Sequence, residues 1–180
     1  MSFALAMRRV AWLAGALCVG CGGPGGTWYS IGGAPAANAP SPGVVAVLRP
    51  LGSAVSGKVR VVDRGDGVSV LVSGTNLPIG DYRVSFNTTP NCSSPNGFSA
   101  GPPWAPQGMD GKTLVPSFWN GDGNAEGEAH VKGVRVTGDN GIATRSVVLY
   151  WGRNVTDAEP GVPNNRIACG TFEPVQPFSF

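Results

Sequence analysis

Side chains able to bind metal or act as nucleophiles are few in this chain of 180 residues, which holds four cysteines, one histidine and 11 carboxylates. Cys18 and Cys21 have the Cys-x-x-Cys spacing of a redox pair or of half a zinc site, but no second pair completes such a site. Cys92 and Cys169 stand far apart; in an exported chain such a pair is most simply a disulfide, with a free thiol or a metal ligand as the other options. Closing a loop of that length stabilises a fold by about 4.5 kcal/mol in chain-entropy terms, before any strain is subtracted. The one histidine, His130 in "EAHVKG", is distant from the cysteines, and a lone imidazole there is expected at the surface rather than on a metal. The stretch "YRVSFNTTPNC", ending at Cys92, has the rhythm of a metal-site strand. It carries Ser85 and Asn87 where nitrogen ligands would be needed.

The elements that must position these residues are short runs rich in β-branched side chains: "VVAVL" from Val44, "KVRVVD" from Lys58, "VSVLVSG" from Val68 and "YRVSFN" from Tyr82. Further runs are "EAHVKGV" from Glu128, "RSVVLYW" from Arg145 and "RIACGTF" from Arg166, with a less regular one in "TLVPSFW". Gly, Asp and Ser clusters separate the first three at spacings of about ten residues, the signature of an antiparallel sandwich or barrel. No helix is expected after the N-terminal segment. From Thr88 to Asp122 the strand rhythm fails, and six prolines plus Cys92 predict a long loop that is stapled rather than loose.

Charged residues make up 13% of the chain and the net charge is +2, with lysines and arginines scattered, which argues against a nucleic-acid partner. The opening "MSFALAMRRVAWLAGALCVGC" places Arg8 and Arg9 before an apolar run, as in an export signal. Its end, "LCVGC", is similar to a bacterial lipobox, with Cys21 as the residue to be lipidated. The expected organisation is an export signal over 1–21, a Gly/Pro/Ala-rich tether over 22–43, and one folded domain over 44–180. The expected location is the bacterial cell envelope, with the membrane as partner through the lipid anchor. The sequons at Asn87, Asn91 and Asn154 matter only in a glycosylating host.

From about Val44 to Phe172 the chain resembles the copper/zinc superoxide dismutase family, most closely its bacterial exported members. The resemblance runs in order through "GSAVSGKVRVVDRGDGVSVLVSG", "CSSPNGFSAG", "NGDGN", "RSVVLYW" and "NNRIACG". It implies an all-β fold, an eight-stranded Greek-key β-barrel. It also implies that Cys92 and Cys169 form the family disulfide and that Arg166 is the arginine that guides superoxide toward copper.

The departures fall on the metal ligands. Counting back from Cys92, Ser85 and Asn87 occupy two copper-histidine positions. Pro103 in "GPPWAP" takes the bridging position and Tyr150 that of the last copper histidine. Trp119 and a residue near Gly111 fall where zinc histidines are expected, and Asp122 is the one ligand position retained. Neutral Ser and Asn oxygens bind Cu(I) poorly, Pro103 offers no side-chain donor, and one carboxylate cannot make a zinc site. No cofactor is therefore expected, although copper and zinc belong to the family. The protein is expected to be a non-catalytic binding or structural domain of the envelope. The alternatives are a superoxide dismutase or a copper carrier with a non-standard site, built from Asp110, Asp122, His130 and Tyr150. Without copper to steer toward, Arg166 is expected to bond loop carbonyls near the disulfide, and Asp122 to cap backbone N–H groups in an Asp-Gly turn. Trp119, Tyr150, Pro103, Trp104 and Tyr82 are expected to crowd the old site. They would either fill its volume or form an aromatic patch for an unknown protein or small-molecule partner. Asp157 and Glu159 receive no role.

Overall fold

A computed structural model of the chain describes residues 43–155 and 164–175. The export signal, the lipidation residue Cys21, all but the last residue of the tether, and Asp157 and Glu159 lie outside them.

Eight strands form, each on a run anticipated above. They are β1 (Gly43–Pro50), β2 (Ser56–Arg64), β3 (Gly67–Thr75), β4 (Gly80–Asn87), β5 (Phe118–Asn120), β6 (Asn124–Lys132), β7 (Ser146–Trp151) and β8 (Arg166–Pro174). The irregular run "TLVPSFW" contributes only its end, because Pro116 has no N–H to donate and pairing with β4 begins at Phe118. The stretch between β4 and β5 holds a single 3-10 turn, Phe98–Ala100.

All pairings are antiparallel and run in the order β5-β4-β7-β8-β1-β2-β3-β6. The two ends of this order approach each other, with the Phe118 ring of β5 lying where a side chain at Gly127 of β6 would stand, 3.1 Å from its Cβ position. The sheet is a nearly closed barrel.

Alternation places one side chain of each pair inside. Val59 and Val61 of β2, Val68 and Val70 of β3, Val84 and Phe86 of β4, and Val147 and Leu149 of β7 are wholly buried in one core. The outer faces diverge. On β2 the outward Lys58 and Arg60 are exposed, whereas β4 and β7 are buried on both sides, including the outward Ser85, Asn87, Ser146, Val148 and Tyr150. The covering is the segment from Thr88 to Ser117, whose Ala100 packs with Val148, Tyr150, Val155 and Cys169 as a second apolar cluster.

The disulfide Cys92–Cys169 ties this cover to β8, across a sequence separation of 77. The sequence left a free thiol or a metal role open for these residues; the bond decides between them. Replacing both by Ser is expected to lower unfolding free energy by up to about 4.5 kcal/mol, the loop-closure entropy returned to the unfolded chain. Guanidinium unfolding of the oxidised parent beside the double variant measures it.

Candidate functional site

The outer face of β4 and β7 carries Ser85 and Asn87 and is covered by protein. Register sets it out: Arg83 opposes Tyr150, Ser85 opposes Val148, and Asn87 opposes Ser146. Strand β8 joins through an irregularity. Leu149 pairs with Ala168, but the next pair is Tyr150 with Arg166, so Ile167 is an extra residue on β8. An extra residue reverses the alternation beyond it. Arg166, which by strict alternation would share the inner face with Ala168, instead meets Tyr150 under the cover.

Ser85 and Asn87 are both wholly buried. Ser85 Oγ donates to Asn87 Oδ1 at 2.7 Å, and Asn87 Nδ2 donates to the Gly101 carbonyl at 2.8 Å. The cover is then stitched along β4 by backbone bonds: Thr88 N to Pro102 O at 3.1 Å, Thr89 N to Ala100 O at 2.9 Å, and Trp104 N to Phe86 O at 2.7 Å. Pro103 forms an isolated bridge opposite Asn87. On the other flank Arg83 donates to the Arg153 carbonyl at 2.8 Å and to that of Val115 at 3.2 Å.

Arg166 closes the arrangement. Its guanidinium is 3% exposed and donates to the carbonyls of Gly97 at 2.6 Å and Gly101 at 3.3 Å. It lies over the rings of Phe98 at 5.2 Å and Tyr150 at 5.7 Å. Among the described residues no carboxylate pairs with it. Both receiving residues have positive φ, 74° at Gly97, which is left-handed, and 77° at Gly101, whose ψ of −169° is open only to glycine. A side chain at Gly97 would sit 2.6 Å from Leu51 Cδ1, and one at Gly101 would strike the Thr88 hydroxyl. Glycine is therefore required at both carbonyls that hold the arginine. Two polar groups here lack a partner, Tyr150 Oη and Arg166 Nε. Gly97 and Gly101 were not singled out in the sequence, where "CSSPNGFSAG" stood only as one stretch of the resemblance.

The structure thus brings together Ser85, Asn87, Pro103, Tyr150, Arg166 and the disulfide. It leaves out Trp119 and Asp122. Trp119 lies on β5, opposite Asp81 and 63% exposed, and Asp122 is exposed at the turn before β6, where its Oδ1 accepts from Asn124 N at 3.0 Å. The turn role expected for Asp122 is the one it performs, as is the carbonyl-bonding role expected for Arg166.

The expected crowding of aromatics is corrected. Tyr82 alternates with Arg83 and so points inward, where it stacks on Phe118 at 5.7 Å and donates to the Pro78 carbonyl. Trp104 is covered by the Arg145 guanidinium, 3.6 Å from its ring centre. Of the five residues only Tyr150 and Pro103 stay on the covered face.

The alternative metal set is scattered. Asp110 holds the Lys112 N–H and the Thr113 hydroxyl within its own turn, which keep its carboxyl below the ordinary value. His130 lies six residues along β6 from Asn124, about 20 Å for an extended strand, and its Nε2 is 2.8 Å from Asp66 Oδ1. Among the described residues no group of three or more His, Cys, Asp and Glu is able to hold a metal ion. No family model matches the chain, and comparison with curated proteins finds no similar sequence.

Two measurements probe these contacts. Asn87→Ala strips a buried partner from both Ser85 and Gly101 and is expected to cost about 1–3 kcal/mol in thermal or denaturant unfolding. The bond from His130, with Lys132 close by, holds the Asp66 carboxyl below its ordinary 3.8. A carboxylate lowered on folding adds stability above its unfolded value that is lost as pH falls through the folded one. Carbon-detected NMR should place the Asp66 midpoint below 3.8, and His130→Ala should move it back up.

Proposed function

We propose that this chain is a divergent copper/zinc superoxide dismutase-like protein, exported and anchored by lipid at Cys21. In it the metal-binding face has become a closed protein surface, leaving a non-catalytic binding or structural domain of the cell envelope. The strand order supports the fold reading: β4, β5 and β6 are successive neighbours, β3 lies beside β6 and β7 beside β4, an arrangement that fits a Greek key. The Cys92–Cys169 bond and the reach of Arg166 to two loop carbonyls support it as well.

One observation carries the loss of function. The side chains at the two copper-histidine positions, Ser85 and Asn87, are wholly buried and bonded to each other and to Gly101. Copper that cycles between two oxidation states needs ligands suited to both, and neutral hydroxyl and amide oxygens do not suit Cu(I). Pro103 brings no donor, and Tyr150 brings a phenol in place of an imidazole. A zinc site needs three or four ligands, and Asp122 stands alone at its turn. Copper and zinc therefore do not fit these residues. With the chemistry gone, Arg166 serves to hold the cover rather than to steer an anion, and the fold by itself confers no activity.

Metal loading tests the reading directly. The purified chain is incubated with copper and zinc, freed of excess, and assayed for bound metal and superoxide consumption. The expected result is less than one metal ion per chain and no consumption above the free-metal background. Stoichiometric copper with turnover would establish a dismutase, and tight copper without turnover a carrier. Either would overturn the proposal.

A further inference from the structure

The outer face of β2, β3 and β6 is the open counterpart of the covered face, and its charges are ordered. Across the sheet Arg60, Leu71 and Glu128 form one row, and Lys58, Ser73 and Glu126 form the next. Each row is basic on β2, small or apolar on β3 and acidic on β6. Leu71 at the centre is 42% exposed. Among the described residues Lys58, Arg60 and Glu126 have no ion-pair partner. Strands lie about 4.8 Å apart, so opposite charges within a row are about 10 Å apart, with β3 between them.

We propose that this face binds a second copy of the chain, sheet against sheet, about a two-fold axis running along β3. Such an axis exchanges β2 with β6. Arg60 then meets Glu128 of the partner subunit, Lys58 meets Glu126 of the partner subunit, and the two Leu71 side chains meet on the axis. The next row outward places Ser56 against Asn124, both exposed and polar. At the far end Arg64 would face Lys132; Lys132 is neutralised within its own chain by Asp66 at 3.4 Å, while Arg64, 3.6 Å from Glu128, shares that carboxylate with Arg60 of the partner subunit. Packed sheets also cross at about 30°, which keeps the central rows aligned and splays the ends.

Self-complementarity is what selects a second copy over an unrelated partner: the same patch supplies both signs in the positions a two-fold requires. Size sets the strength. Three strands of nine residues cover about 14 Å by about 30 Å, on the order of 400 Å² per chain, about half of the roughly 800 Å² of a standard interface. The dimer is therefore weak, concentration-dependent and sensitive to salt.

Charge reversal tests it through sedimentation of the full chain over roughly 1–300 μM at low salt. The parent should move from monomer to dimer across that range, with affinity falling about tenfold or more at molar salt. The variants K58E/R60E and E126K/E128K should each be monomeric, because each places like charges opposite one another. Mixed in equal amounts they should form a heterodimer, since acidic β2 of one then faces basic β6 of the other, and the reverse. Glu128 also accepts from Ser69 at 2.8 Å, so K58E with E126K alone provides a second pair that leaves that bond intact. Near-UV circular dichroism and melting temperature establish that each variant is folded. A parent that stays monomeric at every concentration, variants that dimerise like the parent, or folded variants that fail to restore the dimer when mixed would each overturn the proposal.

Discussion

The guanidinium of Arg166 crosses from β8 to the carbonyls of Gly97 and Gly101, and the covered face of the barrel depends on that reach. A buried cation is costly unless its donors are satisfied. Here two backbone oxygens and two aromatic faces meet the guanidinium in place of a carboxylate, and its Nε is left without a partner among the described residues. The arrangement works only if the loop folds back far enough to present both carbonyls. Gly97 and Gly101 provide the two positive-φ positions, and Cys92–Cys169 ties the same loop to the strand that carries the arginine.

Gly101 is the shared point. Its carbonyl accepts from Asn87 on β4 and from Arg166 on β8, so one oxygen links the two strands that flank β7. Ser85 leans on Asn87, and Ser146 donates to the Thr89 carbonyl at 2.7 Å. Ser85, Asn87 and Ser146 thus support the cover, whereas the Tyr150 hydroxyl bonds to nothing among the described residues. Hydrogen bonds of this kind contribute about 1 kcal/mol each, but leaving a buried partner empty costs more. The network is therefore stiff in the sense that no one member can be removed alone.

The same barrel presents two contrasting outer surfaces. On β4 and β7 the polar side chains are buried and turned toward protein; on β2, β3 and β6 they are exposed and ordered by charge. The difference arises from the connections. Strands β2 and β3 are joined by a tight turn that leaves their face open, whereas β4 leads into thirty residues, part of which fold back over its outer face. A long, proline-rich loop stapled by a disulfide lies over Ser85, Asn87 and Tyr150 and closes that face.

The sequence by itself determined the strands, because alternating β-branched residues between turn clusters state both the period and the face, as "KVRVVD" does with Val59 and Val61 inward. It also determined that His130 is the one imidazole in the chain, since composition needs no coordinates, and it pointed to the pairing of Cys92 with Cys169. Tertiary structure decided which polar residues are buried. Ser85 and Lys58 sit on outward positions of similar strands, yet one is wholly covered and the other open, because burial depends on a loop distant in sequence. It also decided the place of Arg166, turned to the outer face by the extra residue Ile167, and the dispersal of the aromatics, since Tyr82 and Arg83 alternate and only one of them can face the cover. Local period is written in neighbouring residues; a bulge and a returning loop are set by strands that meet only after the chain has folded.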